Sequence, residues 1–79
     1  MLYADGFDEA ILGIGTQFNM SCVVYDQQKC LEILSRDMPI DEAIEYFLFN
    51  VVGSYVGEDT PIFLHTMSKE EIDEFIEEE

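Results

Sequence analysis

Residues 21–34 read SCVVYDQQKCLEIL, and the junction inside this stretch decides the fold. Ser21 to Tyr25 is β-branched and aromatic, the composition of a strand. Asp26 follows at once, where its carboxylate can accept a bond from an orphan amide and so start a helix. Beyond it Cys30, Leu31 and Leu34 fall on one helical face with Ile33 at its edge, so a helix is expected to run to about Arg36. A strand feeding straight into a capped helix asks for a sheet covered by helices.

Upstream, LYADGFDEAILGIG reads as a strand pair, or as a strand with a turn at Asp5-Gly6. Ala10, Ile11, Leu12 and Ile14, between glycines, are expected to form a short buried strand, and Thr16 to Met20 a loop. Downstream, Asp37-Met38-Pro39 ends the first helix, because the residue before a proline is turned away from helix. Pro39 itself suits the start of a second helix, whose first turn carries Asp41, Glu42 and Glu45 in line with its dipole. In that helix Ile44, Phe47, Leu48, Val51 and Tyr55 recur at helical spacing and are expected to be the core stripe. Tyr46, Phe49, Val52 and Val56 lie off the stripe, so the helix is apolar on nearly two faces. Gly53 and Gly57 mark its end. Glu58 to Pro61 is a turn, and PIFLH (61–65) a last, edge-compatible strand. Ser68 and Glu71 form a capping box for a terminal helix with one narrow stripe, Ile72, Phe75 and Ile76.

The elements are segregated rather than alternating, which argues against a doubly wound sheet. The expected class is α+β: a small antiparallel sheet of about three strands packed by two central helices, plus an acidic C-terminal helix. Residues 1–66 would be the compact core and 67–79 the appended helix.

The chain has 79 residues, with 18 acids against three bases and a net charge of −15, yet it is 48% hydrophobic. That apolar content can build a core, so the acidity does not signal disorder. It does exclude direct binding to nucleic acid or anionic lipid, for which Lys and Arg are needed. No run approaches the ~20 apolar residues of a membrane span, and MLYADGFDEA lacks the features of a signal peptide. Cys22 and Cys30 are too few for a disulfide scaffold. Each sits in apolar context as a small core hydrophobe, a Cys22–Cys30 bridge being the alternative. A reducing cytoplasm fits.

No catalytic constellation, metal-ligand spacing or cofactor motif is present. His65 is the lone histidine, and Gly13-Ile14-Gly15 is not followed by a helix. The expectation is a binding protein, neither an enzyme nor a metalloprotein, that takes no cofactor.

Charge density places the candidate surface. Spread over the ~4,900 Å² expected for this mass, −15 is about one charge per 330 Å², a third of the density of duplex DNA. Residues 69–79 alone reach roughly one net charge per 2.8 Å of helix, near the ~3.4 Å of a single DNA strand. The candidate partner-binding residues are therefore Glu70, Glu71, Glu74, Glu77 and Glu78 in the terminal helix. Asp41, Glu42 and Glu45 extend the set along the second helix, and Tyr46, Phe49 and Phe75 are the expected apolar anchors. A solvated tail, or adaptation to a salty setting, would leave the same composition.

DGFDEAILGIG (5–15), VVYDQQKCLEIL (23–34) and DEAIEYFLFNVVGSYVGEDTPIF (41–63) resemble a family of small uncharacterised proteins of tailed bacteriophages and their bacterial hosts. The distinctive part is Glu42-Ala43-Ile44-Glu45-Tyr46-Phe47 with Phe49-Asn50-Val51-Val52-Gly53, then Gly57 and Thr60-Pro61. Pro39, where a Ser or Thr cap is usual, and the acidic extension after His65 depart from the pattern. The resemblance implies a phage setting and carries no catalytic residues. With it, the expected function is binding and inhibition of a basic, nucleic-acid-binding host protein in the host bacterial cytoplasm. An anti-CRISPR or another anti-defence inhibitor that mimics nucleic acid would answer to this. The alternative is an assembly module that self-associates, as a homodimer for example, through the apolar second face of the central helix.

Overall fold

A computed structural model describes residues 2–54 and 60–78, the side chains of Ser54 and Glu78 excepted. After a 3-10 turn at Asp8–Ala10 come strands β1 (Ile11–Gln17) and β2 (Met20–Asp26), then helices α1 (Gln27–Leu34) and α2 (Ile40–Tyr46). Strand β3 (Ile62–Leu64) and helix α3 (Lys69–Glu78) complete the order. α2 continues without a break into a π turn, Phe47–Val51, and a 3-10 turn, Val52–Ser54. The fold is α+β.

The junction at Asp26 forms as its chemistry dictates: the carboxylate accepts from the amides of Gln28 and Lys29 at 3.1 and 3.4 Å, capping α1. The capping box at α3 closes in both directions. The Glu71 amide donates to Ser68 Oγ at 3.2 Å, and the Ser68 amide to Glu71 Oε1 at 3.1 Å.

The sheet is mixed, not antiparallel throughout. Its order is β1-β2-β3, with β1 antiparallel and β3 parallel to β2. The helices between β2 and β3 return the chain to the other end of the sheet, so β3 sets out in the direction of β2. The expected loop at Thr16 to Met20 contracts to a two-residue turn. Phe18 and Asn19 connect the strands directly, with Phe18 at φ 56°. A positive φ at the first turn position and not the second is the primed-turn pattern that glycine normally serves. The sequence has no glycine there, and Phe18 stands 97% exposed at the tip.

Register assigns the two faces. Val23 and Tyr25 of β2 share a face with Phe63 of β3, and the helices cover it. Four rings from four segments run through this layer. Phe7 meets Phe47 edge-on at 6.4 Å, Phe47 meets Phe63 edge-on at 5.1 Å, and Phe63 stacks on Tyr25 at 5.6 Å. The Ala4 amide donates to the Tyr25 hydroxyl at 2.7 Å, tying the N-terminal segment across the core.

Two expectations about burial are corrected. Ile11, Leu12 and Ile14 of β1 are exposed rather than buried. A bulge between Ile11 and Gly13 breaks the strand's alternation, and the helices pack chiefly against β2. In the central helix the buried residues are Ala43, Phe47 and Val51, while Ile44 and Leu48 face solvent. The buried line falls on every fourth residue, and the π turn carries its second step, Phe47 to Val51. The Val52 amide reaches back to the Phe47 carbonyl as well as to Leu48, and the wider turn keeps residues spaced by four in line. Tyr55, Val56, Gly57, Glu58 and Asp59 lie outside the described residues.

Cys22 and Cys30 are both buried thiols, not bridged. Cys30 belongs to the core beneath the helices, whereas Cys22 pairs with Gly15 on the opposite face of the sheet. Burial, with the Asp26 carboxylate adding to it, pushes the Cys30 thiol up to about 11. The unfolded chain ionises this thiol two pH units earlier, near 9, so its contribution is complete below pH 9 and lost as pH climbs toward 11. Urea melts between pH 8.5 and 11 are expected to show a loss of at most about 2 kcal/mol that Cys30→Ala removes. An unchanged slope in Cys30→Ala would assign the loss to other groups.

Candidate partner-binding surface

The buried line decides what the central helix presents. With Ala43, Phe47 and Val51 committed to the core, Glu42, Glu45, Tyr46, Phe49 and Asn50 surround a shallow concavity of about 410 Å³. Phe49 is 74% exposed and Tyr46 is 44% exposed. Tyr46 and Asn50 also line the neighbouring depression toward Phe7 and Leu34, so they form the ridge between the two. Asp41 is exposed in the first turn of the same helix. A carboxylate-rimmed hollow with two accessible rings offers charge for long-range attraction and flat apolar area for contact.

The second group is α3. Its side chains from Lys69 to Glu77 are all exposed, and among the described residues the helix packs extensively on no other element. At 100° per residue Glu70, Glu74 and Glu77 lie opposite the Ile72–Phe75–Ile76 stripe. Glu71 differs from these, because its carboxylate is engaged in the capping box. Asp73 is held by Lys69 at 2.9 Å. Glu78 closes the helix. The expected acidic residues thus fall into two groups, one on α2 and one on α3, with no extensive packing between the two helices among the described residues.

The chain's three cations are all spent on its own acids. Lys29 lies 3.7 Å from Glu32, Lys69 pairs with Asp73, and Arg36 grips Glu9 with both nitrogens, the closer at 2.9 Å. The Arg36 guanidinium beside it holds the Glu9 carboxyl below the usual carboxylate range, by hydrogen bond first and charge second. The acids of α2 consequently face outward uncompensated by any of the three.

Among the described residues, no three His, Cys, Asp or Glu side chains come together as a metal site, and no helix is long and apolar enough to cross a membrane.

One feature escaped the sequence reading. The sheet face away from the helices carries a groove of about 560 Å³, lined by Gly15, Met20, Cys22, Pro61 and Ile62 among others. Its signal lay in β2, where Met20, Cys22 and Val24 alternate with Val23 and Tyr25, so that both faces of one strand are apolar. Its width depends on glycine. A Cβ at Gly15 would come within 2.8 Å of Val24 Cγ2.

Compared with family models, with curated proteins and with solved structures, the chain finds no match in any of the three.

Proposed function

We propose that this chain is a small acidic phage-type protein that binds and inhibits a nucleic-acid-binding host protein in the host bacterial cytoplasm. A CRISPR effector, a restriction enzyme or a transcription component has the basic groove such a ligand would occupy. The observation that carries the reading is the α2 surface: Glu42 and Glu45 beside exposed Tyr46 and Phe49 around one hollow. Those carboxylates would take the place of phosphates, and the two rings would supply the desolvated contact that dominates most interfaces. The function is binding, with no chemistry on the partner. The chain itself, at −15, would not touch nucleic acid directly.

Affinity capture from the native host is expected to return basic nucleic-acid-binding proteins. Their complexes should weaken steeply between 50 and 500 mM salt, as screening shortens the reach of exposed charge to roughly 4 Å. Nucleic acid should compete for the same groove. A captured partner that is itself acidic, or an affinity indifferent to salt, would overturn the reading.

A further inference from the structure

Among the described residues, two apolar surfaces stand partly exposed to solvent. One is the helix-free face of the sheet. Met20 and Ile62 on its groove are 38% and 43% exposed, and Leu64 beyond them is 43% exposed. The other is the stripe of α3, with Ile72, Phe75 and Ile76 at 43%, 54% and 59%. A strand apolar on both faces, as β2 is, belongs in a sheet covered on both sides. A helix with an apolar stripe owes most of its stability to burying that stripe.

We infer that a second copy of this chain covers the open face, each protomer laying the Ile72–Phe75–Ile76 stripe of α3 into the other's groove. The accessible area supports this occupant. The chain exposes 5941 Å², against about 4,900 Å² for a compact monomer of 9.1 kDa. The excess, about 1,000 Å², is spread over the whole chain and is large enough to include the ~800 Å² that each partner contributes to a standard stable interface. The shape agrees: the radius of gyration is 13.5 Å, where a compact chain of this length gives about 11.6 Å.

Charge sets the orientation. Gly15, Thr16, Met20, Cys22 and Ile62 along the groove are uncharged, so the stripe meets a neutral wall. Glu70, Glu74 and Glu77, on the opposite side of α3, then point outward. What opposes the dimer is the repulsion between two chains of −15, which salt relieves. The surface is distinct from the second face of the central helix around Phe49, and the salt response is opposite in sign to that of binding a basic partner.

Analytical ultracentrifugation of the full chain tests this. A low-micromolar dimer is expected that tightens several-fold between 50 and 500 mM salt. Phe75→Glu, at a position 54% exposed on its helix, should weaken it about a hundredfold, because a two-fold dimer loses the contact twice. Ile62→Glu in the groove should do the same, with Met20→Glu as the substitute if Ile62→Glu fails to fold. Mixing Phe75→Glu with the groove variant should yield a heterodimer tighter than either homodimer, since one intact helix then meets one intact groove. Phe49→Glu should leave the dimer as it is. A wild-type chain monomeric at 100 µM, a dimer indifferent to Phe75→Glu, or one lost on Phe49→Glu would each overturn the inference.

Discussion

Phe47→Ala is expected to abolish cooperative unfolding at 25 °C, leaving a chain with helical circular dichroism and no sharp urea transition. Phe47 is 1% exposed and joins two ring contacts, to Phe7 and to Phe63, that link the N-terminal segment, the π turn and β3. Truncating such a ring costs about 3–5 kcal/mol in transfer and cavity terms. A 79-residue chain holds roughly 4–12 kcal/mol in total. This one should sit at the low end, given its small core and its mutual repulsion of acids. The loss therefore equals most or all of the stability. Leu48→Ala, one residue on, should cost under about 1 kcal/mol, because Leu48 is 51% exposed. Equal effects at the two positions would mean that the core stripe does not run through Ala43, Phe47 and Val51.

That contrast locates what periodicity alone could not supply. Phe47 and Leu48 both fit a helical stripe in sequence, and the ring contacts of Phe47 with Phe7 and Phe63 decide which of the two turns inward. Local chemistry was more legible. The Asp26 cap and the Ser68–Glu71 box depend on residues within three positions of one another, and both form. The parallel placement of β3 depends on pairing Val24 with Ile62 across the whole helical segment, which no local signal encodes. The turn at Phe18 and Asn19 was hidden for the opposite reason: its conformation is one that the local residues disfavour.

The candidate surface divides in the same way. Glu42, Glu45, Tyr46 and Phe49 were readable as residues off the buried stripe, and they gather around one hollow on the side of the helix away from buried Ala43, Phe47 and Val51. The open-face groove draws on β1, β2 and the approach to β3. Pairing register alone brings Gly15, Cys22 and Ile62 side by side, so no stretch of sequence displays it.

Replacing Glu42 and Glu45 together by Lys is expected to reduce inhibition of a basic-groove target by more than about a hundredfold, since like charges facing across an interface cost several kcal/mol. Phe49→Ala should cost about 2 kcal/mol, or roughly 30-fold, expressed mainly as faster dissociation. Reversing Glu70, Glu74 and Glu77 on α3 should act differently. These acids crown an exposed ridge beside no ring of their own face, so they act at distance, slowing association and flattening the salt dependence. Stopped-flow association and dissociation rates at two salt concentrations separate the cases. Both helices carry carboxylates, but those of the central helix share one hollow with two exposed rings, whereas Glu70, Glu74 and Glu77 lie opposite Phe75 on α3. If the α2 reversal and Phe49→Ala both leave the rates unchanged, the hollow on α2 is not the contact surface. If only the α3 reversal is silent at both salt levels, the acidic helix contributes solubility and α2 alone carries the mimicry.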